Sequence, residues 1–311
     1  MGILGLGKVS GDVLERVLGF LPLEEVGLDA NPLPPLRGGV VSVNPAIGVP
    51  VDCLGFFGFH YAASNVAVSM AVPRYATLTV LLPLGSTEDT LEIIVKGFGR
   101  EAERYRVRVV AGHTGTYKGV SSPLVVATVL GERVREPVAP SPGDYVVIVG
   151  SIGLETLWLL EVAERGEYGV DWRSLTPLPA ALKLVRVEGV KLMHDVSEGG
   201  LLGALHEISR EYDVKISLNS SSVPLAEGVR GVGVDPLLAP SYGSLIAIVE
   251  EEVEEVGRVC EELGVRYGVV GRVEEGAGVY VDGVARKAGT RTWIDELYGE
   301  FEQKSEKCEV A

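Results

Sequence analysis

From Cys53 to Pro73 the chain runs for 21 residues without a single Asp, Glu, Lys or Arg, and no other feature narrows its fold as much. A stretch of about 20 residues is long enough to cross a bilayer. His60, Tyr61, Ser64, Asn65 and Ser69 interrupt it, however, Gly and Ala dilute it, and no second such segment accompanies it. The expectation is therefore a helix over residues 55–71 buried in protein on every side, with no membrane role. A helix of that kind needs walls all round, which predicts strands packed against it and a homodimer sealed by the N-terminal half.

Composition sets the rest of the frame. A chain of 311 residues predicts two domains. With 46% hydrophobic but only 6% aromatic residues, the core must be built from Val, Leu and Ala. The formal charge of -15 repels phosphate backbones and argues against nucleic acid as a partner. An anionic substrate would need a local device such as helix N-terminal amides or a bound metal. Cys53, Cys260 and Cys308 and the four histidines His60, His113, His194 and His206 lack zinc-site spacing, so a reduced, cytoplasmic setting is expected. One Gln and four Asn in the whole chain fit a thermophile's avoidance of thermolabile amides. The first residues are too short an apolar run for a secretory signal.

Along the chain, strands are expected at Val40–Val43, Arg74–Leu82, Val107–Val110 and Leu124–Leu130, with a helix from the caps at Ser86–Asp89 to about Arg104. Pro137, Pro140 and Pro142 place a linker at about 132–143. Domains are thus expected at 1–135 and 140–290, followed by a C-terminal helix and frayed tail over 291–311. In the second domain, strands are expected at Tyr145–Val149, Val190–Met193 and Tyr242–Val249, and as a pair within 266–281. Helices are expected after the Gly150–Gly153 turn, at 197–211 and at 250–263, the last being a solvated acidic face.

The sharpest local signal is the strand-to-helix junction from Met193 to Leu201. It sets His194, Asp195 and Glu198 beside helix N-terminal amides, and Gly199 and Gly200 let a ligand approach the backbone, so the turn could hold a metal with a phosphate. A second reading stands beside it: Asp195 and Glu198 have the spacing of a capping box. A weaker constellation is Gly112-His113-Thr114, placed at a strand end, where His113 is either a base or ligand in a cleft or merely bonded to nearby backbone. Gly5-Leu6-Gly7 follows no strand and carries no dinucleotide reading, and the chain has no Walker loop and no nucleophile elbow.

In order, Gly27-Leu28-Asp29-Ala30, Val43-Asn44-Pro45, Ser64-Asn65-Val66-Ala67 leading to Ala71-Val72-Pro73, Gly112-His113-Thr114, Gly143-Asp144 and His194-Asp195 to Gly200 resemble the motifs of the aminoimidazole ribonucleotide (AIR) synthetase superfamily. That superfamily includes PurM, thiamine-monophosphate kinase, selenophosphate synthetase and the hydrogenase maturation factor HypE, and the 193–201 segment looks most like HypE and its archaeal relatives. The resemblance implies a mixed α/β fold of two domains, the N-terminal sheets of two chains joining in a dimer barrel. It also implies ATP as cofactor, with magnesium held by aspartates, and either a ligase or dehydratase activity in cofactor or metabolite maturation or a phosphotransferase like thiamine-monophosphate kinase.

Carried over residue by residue, the resemblance puts His194, Asp195, Glu198 and His113 in catalysis and Asp29, Asn44, Asn65, Gly112, Thr114, Gly199 and Gly200 at the nucleotide, with Asp29 and Asp195 on metal. Asn44, Asn65 and His113 stand where the pattern has aspartates, so three anionic ligands are replaced by neutral ones and the magnesium site is expected to be reduced. A non-catalytic relative that binds a nucleotide, an anion or a maturation-protein partner is the alternative. Cys308 is followed by Glu309, Val310 and Ala311 and does not match the HypE tail, so no cyanide-donor role is expected for it.

Overall fold

In a computed structural model the chain divides into two compact units, Met1–Glu136 and Pro137–Ala311. The residues described are 2–9, 11–23, 33–251 and 253–288. Asp29, Cys308 and the expected 291–311 helix and tail lie outside them.

The N-terminal unit holds β1 (Gly7–Lys8), α1 (Gly11–Leu18), β2 (Gly39–Ala46), α2 (Val51–Val68), β3 (Ala71–Leu82), α3 (Glu88–Arg104), β4 (Arg108–Thr116) and β5 (Leu124–Arg133). Its sheet runs β1-β4-β3-β5-β2, with β3 and β4 parallel and the other pairs antiparallel, which leaves one side of β2 without a neighbour among the described residues. The uncharged stretch is α2, and Leu54, Phe57, Phe59, Ala62, Ala63 and Val66 are fully buried. Burying each Phe contributes about 2 kcal/mol. The helix starts and ends earlier than expected: Pro50 precedes it with Asp52 in its first turn, and Met70 at φ 60 turns the chain straight into β3.

No membrane span emerges, since no described helix is long and apolar enough to cross a bilayer. α3 supplies one wall of α2, and a Cβ at Gly97 would sit 3.4 Å from the Cα of Gly55, so the two backbones nearly touch. Thr87 caps α3 by accepting from the Thr90 amide at 3.2 Å, as the cap residues predict.

The C-terminal unit contains β6 (Tyr145–Val149), α4 (Leu154–Val162), α5 (Leu178–Leu184), β7 (Val190–Val196), α6 (Gly200–Tyr212), β8 (Lys215–Leu218), β9 (Ser244–Val249), α7 (Val253–Leu263), β10 (Tyr267–Glu274), β11 (Gly278–Val281) and β12 (Val284–Arg286). The sheet order is β12-β11-β8-β10-β6-β9-β7, and only β8 and β11 pair in parallel. Leu201, Leu202, Leu205 and Ile208 of α6 bury against Val146, Ile148, Ile246 and Ile248 of the sheet. Glu250, expected on a solvated helix, precedes α7 and pairs with Lys191 at 3.5 Å. Lys191 also meets Asp144 at 3.0 Å, and both side chains are buried.

Candidate functional site

β7 runs on to Val196, pairing Asp195 with Leu245 and Val196 with Ser244 of β9, so His194 and Asp195 lie on the strand itself. Ser197, Glu198 and Gly199 form an exposed turn, and α6 begins only at Gly200. This overturns the capping-box reading. Asp195 is still in the sheet where a cap would be needed, and the N-cap is Gly199, which has no side chain to bond an amide. Gly200 sits at φ +63, and a Cβ there would lie 2.5 Å from the Leu238 carbonyl carbon, so no other residue fits this crossing.

His194 is held at both ring nitrogens. Nδ1 is 2.6 Å from the Asp195 backbone oxygen, which can only accept, and Nε2 is 3.0 Å from the Glu207 carboxylate of α6. Both nitrogens therefore point at acceptors, the arrangement of an imidazolium. Burial opposes that charge, but the bonds to Glu207 and to the Asp195 carbonyl, with the two carboxylates, outweigh it and raise the His194 pKa. A ring whose two nitrogens both face acceptors has no free lone pair to offer a substrate proton while it is so held, which makes it a poor general base. Burial raises the Asp195 pKa in turn, against the pull of His194.

Sequence reasoning missed Glu155 and Glu207. Glu155 stands in the first turn of α4, is buried, and accepts the Tyr242 amide at 2.7 Å. Burial, with the Glu198 and Asp195 charges, pushes it up to about 7 despite that hydrogen bond. In sequence it looks like an ordinary exposed first-turn acid. Only the fold brings the 240–242 segment over it, where Thr156 donates to the Pro240 carbonyl and the Gly153 amide donates to Ser241. Glu207 likewise carries no local signal, because its role depends on α6 lying across β7.

In the N-terminal unit, Asn44 and Asn65 come together. Asn65 Nδ2 donates to Asn44 Oδ1 at 3.2 Å, and Ser42 Oγ donates to the same oxygen at 2.9 Å. His113 is not with them. Pairing sets Asn44 opposite Ala127, Ala127 opposite Leu78, and Leu78 opposite Gly112, one row across the sheet on the α2 side. His113 follows Gly112 and pairs with Thr79, so within the chain it faces the other way, three strands or about 14 Å from Asn44. Its Nε2 is 2.6 Å from the Tyr117 hydroxyl, with the two rings stacked.

The Gly112-His113-Thr114 motif lies inside β4 and not at a strand end, because parallel pairing with β3 continues to Thr116. Gly112 is pressed on Leu78, whose carbonyl oxygen would be 2.6 Å from a Cβ, and the Thr114 carbonyl accepts from Val9.

Magnesium does not fit the described residues. Asn44 Oδ1 is already bonded twice, His113 is turned away, and no cluster of three or more His, Cys, Asp or Glu among the described residues could hold a metal ion.

Family comparison agrees with this architecture. Residues 40–133 match the N-terminal domain of AIR synthase related proteins, and residues 141–284 match the C-terminal domain of the same family. The chain is 28% identical to the carbamoyl dehydratase HypE of Escherichia coli over 252 residues, covering 76% of this chain and 74% of that protein. Over 231 residues it is 28% identical to the thiamine-monophosphate kinase of Pyrococcus horikoshii, covering 70% of each. Its fold superimposes on the crystal structure of E. coli HypE with a TM-score of 0.80, at 21% identity, over 92% of this chain and 98% of that one. Two matched domains in sequence and the same two-unit fold make the chain a member of the AIR synthase related family.

Proposed function

We propose that the chain is a HypE-like, ATP-dependent protein acting in cofactor or metabolite maturation, with the turn from His194 to Gly200 as its anion-binding end. The observation that carries this reading is that turn. The helix opens at Gly199 and Gly200 with no side-chain cap; the Gly200 and Leu202 amides already donate to the Ser197 and Leu237 carbonyls, and the Gly199 and Leu201 N–H groups are those the turn has to offer. Such a device is what an anionic nucleotide needs on a chain of net charge -15.

Three neighbours in the family support the same direction. A HypE structure in complex with ATP matches at a TM-score of 0.78, a HypE–HypF complex matches at 0.72, and the hydrogenase expression/formation protein HupE of Azotobacter chroococcum is 29% identical over 268 residues. ATP as ligand and a maturation protein as partner are extended to this chain on that basis. A homodimer through β2 is part of the proposal: the open side of that strand comes with Val41 and Val43, 61% and 58% exposed. Cys53 and Cys260 are buried thiols outside any disulfide, which accords with a reducing, cytoplasmic setting.

The test is to supply the chain to E. coli lacking its own HypE and to measure hydrogenase activity alongside ATP binding by calorimetry. Restored activity with ATP binding supports the reading. The neutral pair Asn44 and Asn65 favours a second one, a relative that binds nucleotide without turning it over; binding without restoration selects it. Light scattering checks the dimer, and a species of 33.0 kDa at micromolar concentration removes it.

A further inference from the structure

We infer that the Asn44–Asn65 corner takes a phosphate oxygen directly, through the Asn44 amide N–H groups, and does not hold magnesium. The inference rests on the reading above that the chain binds a nucleotide.

The orientation of Asn44 decides its polarity. A carbonyl-type oxygen has two lone-pair directions, and Asn44 Oδ1 already receives Asn65 Nδ2 at 3.2 Å and Ser42 Oγ at 2.9 Å. A cation approaching that oxygen must displace one of the two. Magnesium surrenders its own water reluctantly and favours charged carboxylates, so a neutral oxygen that is already bonded is a poor site for it. What Asn44 has left is Nδ2, a pure donor, and no described residue accepts from it. Its complement is an acceptor, such as an oxygen of a phosphate group.

Geometry holds the donor in place. Ser42 and Asn44 lie on the α2-facing side of β2, alternating with the exposed Val41 and Val43, and Asn65 sits in the last turn of α2. Both asparagine side chains are half-buried, which lessens competition from water. An aspartate at position 44 would reverse the corner, accepting from Asn65 and Ser42 while offering nothing to an anion.

The experiment uses the full chain and ATP, titrated calorimetrically in EDTA and again in excess magnesium. Similar affinity in both, within about threefold, is the expected result. Asn44→Asp should lose at least about tenfold in EDTA and recover when magnesium is added. Should that variant fail to fold, the wild type decides by NMR. With only four Asn and one Gln, the side-chain amide spectrum is sparse, and the Asn44 Nδ2 signals should move with ATP in EDTA and stay put with magnesium alone.

ATP bound only in the presence of magnesium, or Asn44 signals moved by magnesium alone, overturns the inference and leaves the nucleotide reading standing. No ATP binding in either buffer removes both.

Discussion

The corner at Asn44 and the turn at His194 handle polar groups in opposite ways. At the corner, neutral groups satisfy one another: one amide and one hydroxyl donate to the Asn44 oxygen, with no ion pair involved. The turn is built of charges. His194 is raised by its acceptors against burial, while burial raises Asp195, and burial with neighbouring acids takes Glu155 to about 7. The first arrangement is indifferent to pH. Beside the second, Glu155 changes its protonation near neutrality, so the charge pattern around the turn varies with the medium. In the N-terminal unit the buried titratable group is instead in the core, where burial lowers the pKa of His60 despite its 3.0 Å bond to Glu101.

The largest expected effect separates charged from neutral pairing. Lys191→Met leaves Asp144 buried with its Ser141 amide bond but no cation, which should cost about 3 to 5 kcal/mol in urea denaturation. A loss under about 1 kcal/mol would show that the charged pairs of this unit are no more demanding than the amide corner.

Next comes Glu155→Gln, which keeps an oxygen for the Tyr242 amide and removes the charge. The folded chain holds the Glu155 proton more tightly than the unfolded chain does. Its stabilising contribution is therefore full below the unfolded value of 4.5 and is lost as pH rises to about 7, some 3 kcal/mol in all. The variant should match the wild type near pH ~4 and exceed it by about 3 kcal/mol above pH ~8. Parallel stability curves for the two proteins would mean that the Glu155 carboxyl is solvated and that the contrast between the units is smaller than drawn.

Much of the scaffold was legible because it depends on local chemistry. The uncharged run is α2, and the caps at 86–89 open α3. What pairing decides was less so. His113 reads as a strand-end residue until β3 is known to run parallel beside it to Thr116, and the faces of the sheet that part it from Asn44 follow from that register. The spacing of Asp195 and Glu198 misled for a similar reason: it imitates a helix start, while pairing with β9 keeps Asp195 in the sheet. Glu155 and Glu207 gain their roles only from segments distant in the chain, Tyr242 for one and His194 for the other. β8, four residues long, has too little pattern to stand out before β10 and β11 flank it.

The smallest effect tests the corner by itself. Asn65→Ala removes one donor from Asn44 Oδ1 and leaves Ser42 in place, so no buried charge is orphaned. A neutral, half-buried hydrogen bond contributes about 1 kcal/mol. Asn65 also lies in the last turn of α2, where alanine is the better helix former by about 0.5 kcal/mol, and the backbone oxygen that Ser69 uses is unchanged. The net loss should be below about 1 kcal/mol, and it should be the same on either side of neutral pH because none of these groups titrates. A cost approaching that of Lys191→Met, or one that varies with pH, would mean that a charge acts on the corner after all, and the contrast between a neutral corner and a charged turn would then have to be redrawn.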